Sequence, residues 1–209
     1  MMRMIASLIA LACARPPARE PSLDAEFDAT VRVIAVYADE TSSLGTGVAV
    51  GPHYVITARH VVHDESVEVM QIGVVRRDGA MVEMVVDAES DTLDVARLVV
   101  VGVGAPFSSV ATAGQRVPLG AEVCAVTAEW LMKCGRVSML EPGALLVSVR
   151  FVLGNSGAPL YDSRERLVGM VVSRRAERDM DDVGRAISVD ALRPLWPSPP
   201  APDLFPEMR

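Results

Sequence analysis

Short apolar runs, most of them rich in valine, recur along the chain and are broken by glycine, proline, aspartate and serine. Runs of this length with such boundaries are typical of β-strands. They predict six strands in each half: 30–37, 46–50, 53–57, 67–74, 80–86 and 94–100, then 121–127, 132–140, 144–149, 158–161, 167–173 and 184–189. Strands at this spacing predict an all-β sandwich or barrel rather than alternating strands and helices.

The remaining segments have other compositions. Residues 102–118 are rich in glycine, serine, alanine and proline, which predicts a linker between the two sets of strands. One short helix is predicted near the end, with Asp190 as its cap and Pro194 limiting its length. Residues 197–209 form a Pro-rich tail that is expected to be extended or disordered.

The first residues have the features of a signal peptide. Arg3 supplies a positive charge, residues 5–12 are small and apolar, and an A-x-A cleavage pattern ends at Ala14. The apolar stretch is far shorter than the roughly 20 residues that span a bilayer. We expect a signal peptide over 1–14, an N-terminal extension over 15–29 and a secreted or periplasmic product, with no stable membrane span. Lipidation at Cys13 and an apolar N-terminus without a targeting role are the weaker alternatives.

Charge and cysteine content narrow the classes of function. The formal net charge is −7 and the basic residues are scattered, which argues against nucleic-acid binding, since that needs clustered lysine and arginine. After cleavage at Ala14, Cys124 and Cys134 remain as an even pair on two neighbouring predicted strands. They are expected to form a disulfide in an oxidising compartment; two free buried thiols are the alternative.

Three local patterns carry candidate chemistry. The first is T-A-R-H, ending at His60; the second is D-V-A-R-L, beginning at Asp94; the third is G-N-S-G-A-P around Ser156. A serine hydroxyl becomes an effective nucleophile when an imidazole can take its proton. The imidazole in turn needs an acceptor on its other nitrogen, and the oxyanion that forms needs preorganised donors.

These motifs resemble those of the chymotrypsin-like (trypsin-like) serine protease family, especially its bacterial HtrA/Deg-type and glutamyl-endopeptidase-like branches. The family has T-[AN]-x-H, D-x-A-x-L and G-[DN]-S-G-[GA]-P in this order, and the resemblance extends over residues 31–195. It implies a protease domain over 30–196 with two six-stranded antiparallel β-barrels, at about 30–101 and 119–190. The active site would lie in the cleft between the barrels, and a short C-terminal helix would follow.

The resemblance also implies a role for each matched residue. His60 would be the general base, Asp94 its orienting partner and Ser156 the nucleophile of a serine endopeptidase. The amides of Gly154 and Ser156 would form the oxyanion hole. Protein or peptide substrates are expected, and neither a cofactor nor a metal. Asp91 is the rival to Asp94, but it lacks the x-A-x-L that follows Asp94.

The chain departs from the family pattern in several ways. Asn155 replaces the aspartate that pairs with a freshly cut N-terminus in trypsin-type zymogens, and Ala158 replaces the commoner glycine.

His53 and His63 match no catalytic position and are expected to be surface or turn residues. No PDZ-like segment is expected after residue 195. A catalytically silent relative that binds peptides or a protein partner is the alternative function.

In the family that the motifs resemble, the pocket for the residue before the scissile bond is partly set by the position six residues before the nucleophile, which here is Arg150. If its guanidinium pointed into the pocket, it would pair with an acidic substrate side chain. If it faces solvent, small apolar residues such as Val172 and Ala186 line the pocket instead. Alternation along a strand cannot choose the face, since a shift of one residue reverses it. We expect the apolar pocket.

Overall fold

A computed structural model describes residues 24–102, 106–108, 111–172 and 183–197. Within these ranges the strands of the first half are β1 (Thr30–Tyr37), β2 (Ser42–Gly51), β3 (Tyr54–Ala58), β4 (Val69–Val75), β5 (Met81–Ser90) and β6 (Val95–Val100). Those of the second half are β7 (Glu122–Val126), β8 (Met132–Glu141), β9 (Ala144–Val147), β10 (Pro159–Asp162), β11 (Leu167–Val171) and β12 (Gly184–Ser188). They close two antiparallel barrels, in the orders β1-β2-β3-β6-β5-β4 and β10-β11-β12-β9-β8-β7. The predicted fold of two six-stranded barrels is confirmed.

The valine-rich runs form these barrels because alternate side chains of a strand face the same side. In β1, Val31, Val33 and Ala35 are fully buried, whereas Val36 is 38% exposed. The core of each barrel consists mainly of aliphatic side chains from several strands. Strands that are distant in the sequence thus bury apolar surface together, although the chain has few aromatic residues.

Backbone pairing extends some strands beyond their apolar runs. Strand β2 begins at Ser42, because Ser42 and Ser43 pair with Val36 and Ala35 of β1. Strand β5 continues to Ser90 across a register shift after Val86. Other strands are shorter than predicted: β6 begins only at Val95, and β9 ends at Val147.

The helices differ more from the sequence prediction. The short helices α1 (Asp24–Ala29) and α2 (Arg59–Val62) have no periodic apolar pattern and are not predicted. The C-terminal helix α3 (Val189–Leu192) begins two residues earlier than expected, with Ser188 in the N-cap position, and a 3₁₀ turn, Arg193–Leu195, follows it. Asp190 is therefore not the cap: it lies in the first turn, and its carboxylate accepts a hydrogen bond from Arg193 at 3.1 Å.

The predicted signal peptide, most of the N-terminal extension and the tail beyond 197 lie outside the described residues. No helix in the described ranges has the length and hydropathy required to cross a bilayer.

The turn between β7 and β8 contacts the first barrel. Trp130 donates from its indole N–H to the Thr30 carbonyl at 3.3 Å, and Arg32 donates to the Ala128 carbonyl at 3.3 Å. The Arg32 guanidinium also lies over the Trp130 ring, 5.4 Å from its centre. These contacts hold the β7–β8 hairpin against β1 and so fix one side of the junction between the barrels.

A disulfide joins the two strands of the same hairpin. Cys124 on β7 pairs directly with Cys134 on β8, with their Cα atoms 4.0 Å apart. The register of the hairpin is therefore fixed by a covalent bond as well as by backbone hydrogen bonds.

We predict that this bridge contributes measurably to stability. It closes a loop with a sequence separation of 10 residues. A loop of that length corresponds to about 2–3 kcal/mol in the chain-entropy model. The free energy of unfolding of the double variant Cys124→Ala/Cys134→Ala should be lower by this amount, measured by urea denaturation. Two titratable thiols in the unfolded, non-reduced mature protein, which lacks Cys13, would contradict the pairing.

Candidate active site

His60 lies in the single turn of α2, directly after β3. Its Nδ1 is 2.7 Å from Oδ2 of Asp94, and its backbone N–H donates to Oδ1 of the same carboxylate at 3.0 Å. The side chain of His60 is 43% exposed, whereas that of Asp94 is 8% exposed. Both carboxylate oxygens therefore position one histidine, and the other ring nitrogen, Nε2, points away from Asp94.

Asp94 is held in an uncommon backbone conformation just before β6. Its φ is 57°, in the left-handed region that few residues other than glycine adopt and that aspartate tolerates better than most. Its N–H donates to the Asp91 carbonyl at 3.1 Å, and its own carbonyl accepts from the Arg59 N–H at 3.0 Å. This turn brings the carboxylate to His60, where a continued strand would not.

Asp91, the rival acidic residue, makes a different contact. Its side chain is 81% exposed, and its Oδ1 lies 3.2 Å from the Arg59 guanidinium, which is also 3.4 Å from Glu89. The structure thus brings Asp94 into contact with His60 and pairs Asp91 with an arginine.

Ser156 lies in the loop between β9 and β10 of the second barrel, and it is 6% exposed. The loop is joined to β2 of the first barrel, because the Ser156 carbonyl accepts from the Thr46 N–H at 2.8 Å. A Cβ at Gly45 would lie 2.6 Å from the methyl groups of Val61 and 3.1 Å from the Ser156 carbonyl oxygen. Glycine at 45 therefore lets Ser156 and the turn that carries His60 approach the same point of β2. Among the described residues, no hydrogen bond joins the Ser156 hydroxyl to His60.

The peptide groups on either side of Asn155 are held through their carbonyl oxygens. The Gly154 carbonyl accepts from the Thr46 hydroxyl at 2.8 Å, and the Asn155 carbonyl accepts from the Ala158 N–H at 3.0 Å. The N–H of a trans peptide points opposite to its C=O, so the second bond also sets the direction of the Ser156 N–H. Within the described part of the chain, neither the Gly154 nor the Ser156 N–H donates a hydrogen bond, which leaves both for an external acceptor.

The predicted pocket residues lie in different surroundings. Arg150 follows the end of β9 and is exposed, and it has no ion pair with any described residue. Val172 and Ala186 are 1% and 0% exposed. A Cβ at Gly184 would overlap the ring of Phe151, so this ring packs directly against the β12 backbone. Phe151 is an apolar neighbour that the sequence motifs do not indicate.

A cavity of about 450 Å³ opens beside His60. Arg59, His63, Asp64, Glu65 and Asp91 line it together with His60 and Asp94. Hydrogen bonds from the Ser66 hydroxyl and N–H lower the pKa of Asp64, which keeps its carboxylate charged. The cavity is therefore polar, and acidic side chains are the most numerous charged groups in its wall.

Within the described ranges, no group of three or more His, Cys, Asp or Glu side chains is arranged to hold a metal ion.

Sequence reasoning misses two residues that hold the serine loop. Thr46 binds the loop through its N–H and its hydroxyl, and Lys133 donates from Nζ to the Asn155 side-chain oxygen at 3.0 Å. Thr46 stands in the run G-T-G-V-A-V that precedes the T-A-R-H motif, but neither this run nor the surroundings of Lys133 indicate a contact with the serine loop. The one available signal is that Lys133 is the only lysine in the chain.

Comparison with known proteins identifies the family and supports the fold. The sequence profile of the trypsin-like peptidase domain matches residues 45–170, more than half of the chain. The structure is similar to the Rv3671c protease in an inactive form, with a TM-score of 0.66 and 19% identity over 82% of this chain and 89% of that one. It is also similar to the serine endoprotease from Yersinia pestis, with a TM-score of 0.69 and 20% identity over 85% of this chain and 66% of that one. No curated protein matches at a significant level.

We predict that any side chain at position 157 strongly lowers the free energy of unfolding. The φ of Gly157 is 87°, and a Cβ there would overlap the Thr46 carbonyl oxygen. Gly79 is a matched control, since its φ is 84° but nothing lies within 4 Å of an added Cβ. Gly79→Ala should lower the free energy of unfolding by about 1 kcal/mol from backbone strain alone. Gly157→Ala should lower it by at least about 3 kcal/mol, measured by urea denaturation. Equal losses would show that contact with Thr46 does not constrain the loop.

Proposed function

The chain belongs to the trypsin-like peptidase family, and we propose that it is a serine endopeptidase with Ser156 as nucleophile, His60 as general base and Asp94 as the partner of the base. The observation that supports this most is the double contact of Asp94 with the Nδ1 and the backbone N–H of His60. A carboxylate at Nδ1 keeps the proton on that nitrogen. The lone pair of Nε2 is then available to accept a proton.

The first half of the proposed reaction forms an acyl-enzyme. Nε2 of His60 takes the hydroxyl proton as Ser156 Oγ attacks the scissile carbonyl, and Asp94 stabilises the imidazolium that results. The imidazolium then gives its proton to the leaving amine as the C–N bond breaks. Hydrogen bonds between nucleophile and base commonly tighten only when substrate binds. We expect the hydrogen bond between the Ser156 hydroxyl and Nε2 of His60 to form at substrate binding, before the proton is transferred.

The second half returns the enzyme to its starting state. A water molecule loses a proton to His60 and attacks the ester carbonyl, and the same proton then goes to Ser156 Oγ as the ester bond breaks. In both halves a negative charge develops on the carbonyl oxygen of the substrate. The N–H groups of Gly154 and Ser156, without acceptors among the described residues, would stabilise that charge.

We also propose that the protein acts outside the cytoplasm. A disulfide and the absence of a spanning helix in the described ranges are compatible with an extracellular or periplasmic location. The predicted signal peptide over residues 1–14 would direct the chain there, and the protease domain would span residues 30–196.

Substitutions in the proposed triad should cause graded losses of activity. Ser156→Ala and His60→Ala should remove nearly all turnover of a peptide substrate. Asp94→Asn should lower kcat by about 10⁴-fold, since an amide at this position favours the wrong imidazole tautomer. Steady-state kinetics of the purified variants would measure this.

Asp91→Asn is the matched control for the aspartate, because Asp91 contacts Arg59 instead of His60. It should keep most of the activity, and a larger effect than that of Asp94→Asn would contradict the assignment. A fluorophosphonate should label wild-type protein and not Ser156→Ala. Folded wild-type protein that neither reacts with the probe nor cleaves peptides would favour the alternative, a silent relative that binds peptides.

Substrate preference gives a separate test. We propose cleavage after small or medium apolar residues, because Arg150 is exposed and because Val172 and Ala186, which belong to the apolar cores, bring no charge to this part of the second barrel. Cleavage profiling with a peptide library should show this preference, and Arg150→Ala should leave it unchanged. Dominant cleavage after Glu or Asp that is lost in Arg150→Ala would show that the guanidinium binds substrate. Dominant cleavage after Lys or Arg would contradict both pockets.

A further inference from the structure

Asn155, the residue before the proposed nucleophile, makes four hydrogen bonds through its backbone and its side-chain oxygen. It is 1% exposed. Its side-chain oxygen accepts from the Val152 N–H at 3.1 Å and from Lys133 Nζ at 3.0 Å. Its backbone N–H donates to the Val152 carbonyl, and its carbonyl accepts from Ala158, both at 3.0 Å. One buried amide side chain thus connects the loop to β8.

The two residues directly before Gly154 depend on such polar contacts, because their own side chains pack against little. Val152 is 50% exposed and Leu153 is 97% exposed, directly before Gly154. Side chains so open to solvent contribute little burial energy. The course of the backbone into Gly154 therefore relies on hydrogen bonds made by its neighbours, and above all on those of Asn155.

Lys133 is an unusual partner for an amide. It is the single lysine among 20 basic residues, in a chain with 27 acidic residues. Even so, the hydrogen bond to Asn155 is the one contact of its ammonium group with the described residues, and it forms no ion pair with them. A charged donor makes a stronger hydrogen bond to a carbonyl oxygen than a neutral one.

The base of this side chain is held rigidly. Lys133 pairs with Ala125 across the β7–β8 ladder, and its neighbour Cys134 is joined covalently to Cys124. The ammonium group therefore projects from a fixed point of the second barrel. An anchor of this kind restrains Asn155 better than a charge on a mobile segment would.

We propose that Lys133 is a positioning residue for the oxyanion hole: its ammonium group holds Asn155 so that the N–H groups of Gly154 and Ser156 point at the substrate carbonyl. The inference rests on the proposed peptidase function. Lys133 itself does not touch the substrate. Its loss should raise the energy of the oxyanion-bearing transition state more than that of bound substrate, and so lower kcat while KM changes little.

The test compares Lys133→Met, which removes the charge and the donor at similar length, with Lys133→Arg, which keeps both. Rates are divided by the amount of Ser156 labelled to completion by a fluorophosphonate, so that loss of folded protein does not count as loss of catalysis. Lys133→Met should lower kcat per labelled site at least about tenfold, with KM within about twofold of wild type. Affinity for a peptide aldehyde, which forms an oxyanion on Ser156, should fall in parallel. Lys133→Arg should recover most of both.

Chemical modification gives the same readout on wild-type protein if Lys133→Met does not fold. Lys133 carries the only side-chain amine of the chain. Acetylation of the folded protein, followed by mass spectrometry, should therefore lower kcat in proportion to modification at Lys133. Lys133→Arg treated in the same way is the control, because it has no side-chain amine and shows the effect of acetylation at the α-amine and at hydroxyl groups, Ser156 included.

The outcomes separate this inference from the proposed function. If wild-type protein shows no turnover that depends on Ser156, the peptidase function fails and the role of Lys133 fails with it. If wild-type protein is active and Lys133→Met or the acetylated protein has the same kcat per labelled site, the function stands and the positioning role is wrong. A Lys133→Met variant that is less stable but equally fast per site would likewise overturn it.

Discussion

The position of the serine loop at the junction between the two barrels depends on the hydrogen bonds of one residue of β2, Thr46. Its N–H donates to the Ser156 carbonyl, its hydroxyl donates to the Gly154 carbonyl and accepts from the Ala128 N–H, and its carbonyl accepts from the Thr57 hydroxyl. Thr46 is fully buried, so each of these groups would be costly to leave without a partner. A strand of the first barrel thereby carries the serine loop of the second.

The same junction explains the backbone conformations around the site. Gly157 passes directly over the Thr46 carbonyl, which excludes a side chain, and Gly45 leaves room between Val61 and the Ser156 carbonyl. Asp94 adopts a positive φ at the opposite side, in the first barrel. Residues in such conformations cost free energy, and they persist where the surroundings determine them from several directions. Asp94, Gly154 and Gly157 thus adopt positive φ values where the two barrels present their proposed catalytic groups to each other.

Electrostatics divides the site into two parts. On the side of the first barrel, His60 opens onto a cavity with Asp64, Glu65 and Asp91 at its wall. On the side of the second barrel, the serine loop is held by neutral backbone groups and by the ammonium of Lys133. An arrangement with donors around the serine and acceptors around the histidine matches a reaction in which a proton moves toward His60 while negative charge develops beside the Gly154 and Ser156 amides.

The local pattern of the sequence was sufficient to predict the strands and to identify the residues of the three motifs. Valine-rich runs broken by turn residues predict two sets of six strands, because alternation and turn chemistry act over a few neighbouring residues. The order of the motifs at His60, Asp94 and Ser156 is likewise visible without a fold. The tertiary structure decided the contacts: that Asp94 and not Asp91 meets His60, that β9 ends before Arg150 and leaves it exposed, and that Thr46 and Lys133 hold the serine loop. Two hydrogen bonds of the Thr46 side chain join it to residues that are 82 and 108 positions away in the sequence. Contacts at such separation leave no periodic pattern in a sequence, because they exist only once the barrels have closed and packed together.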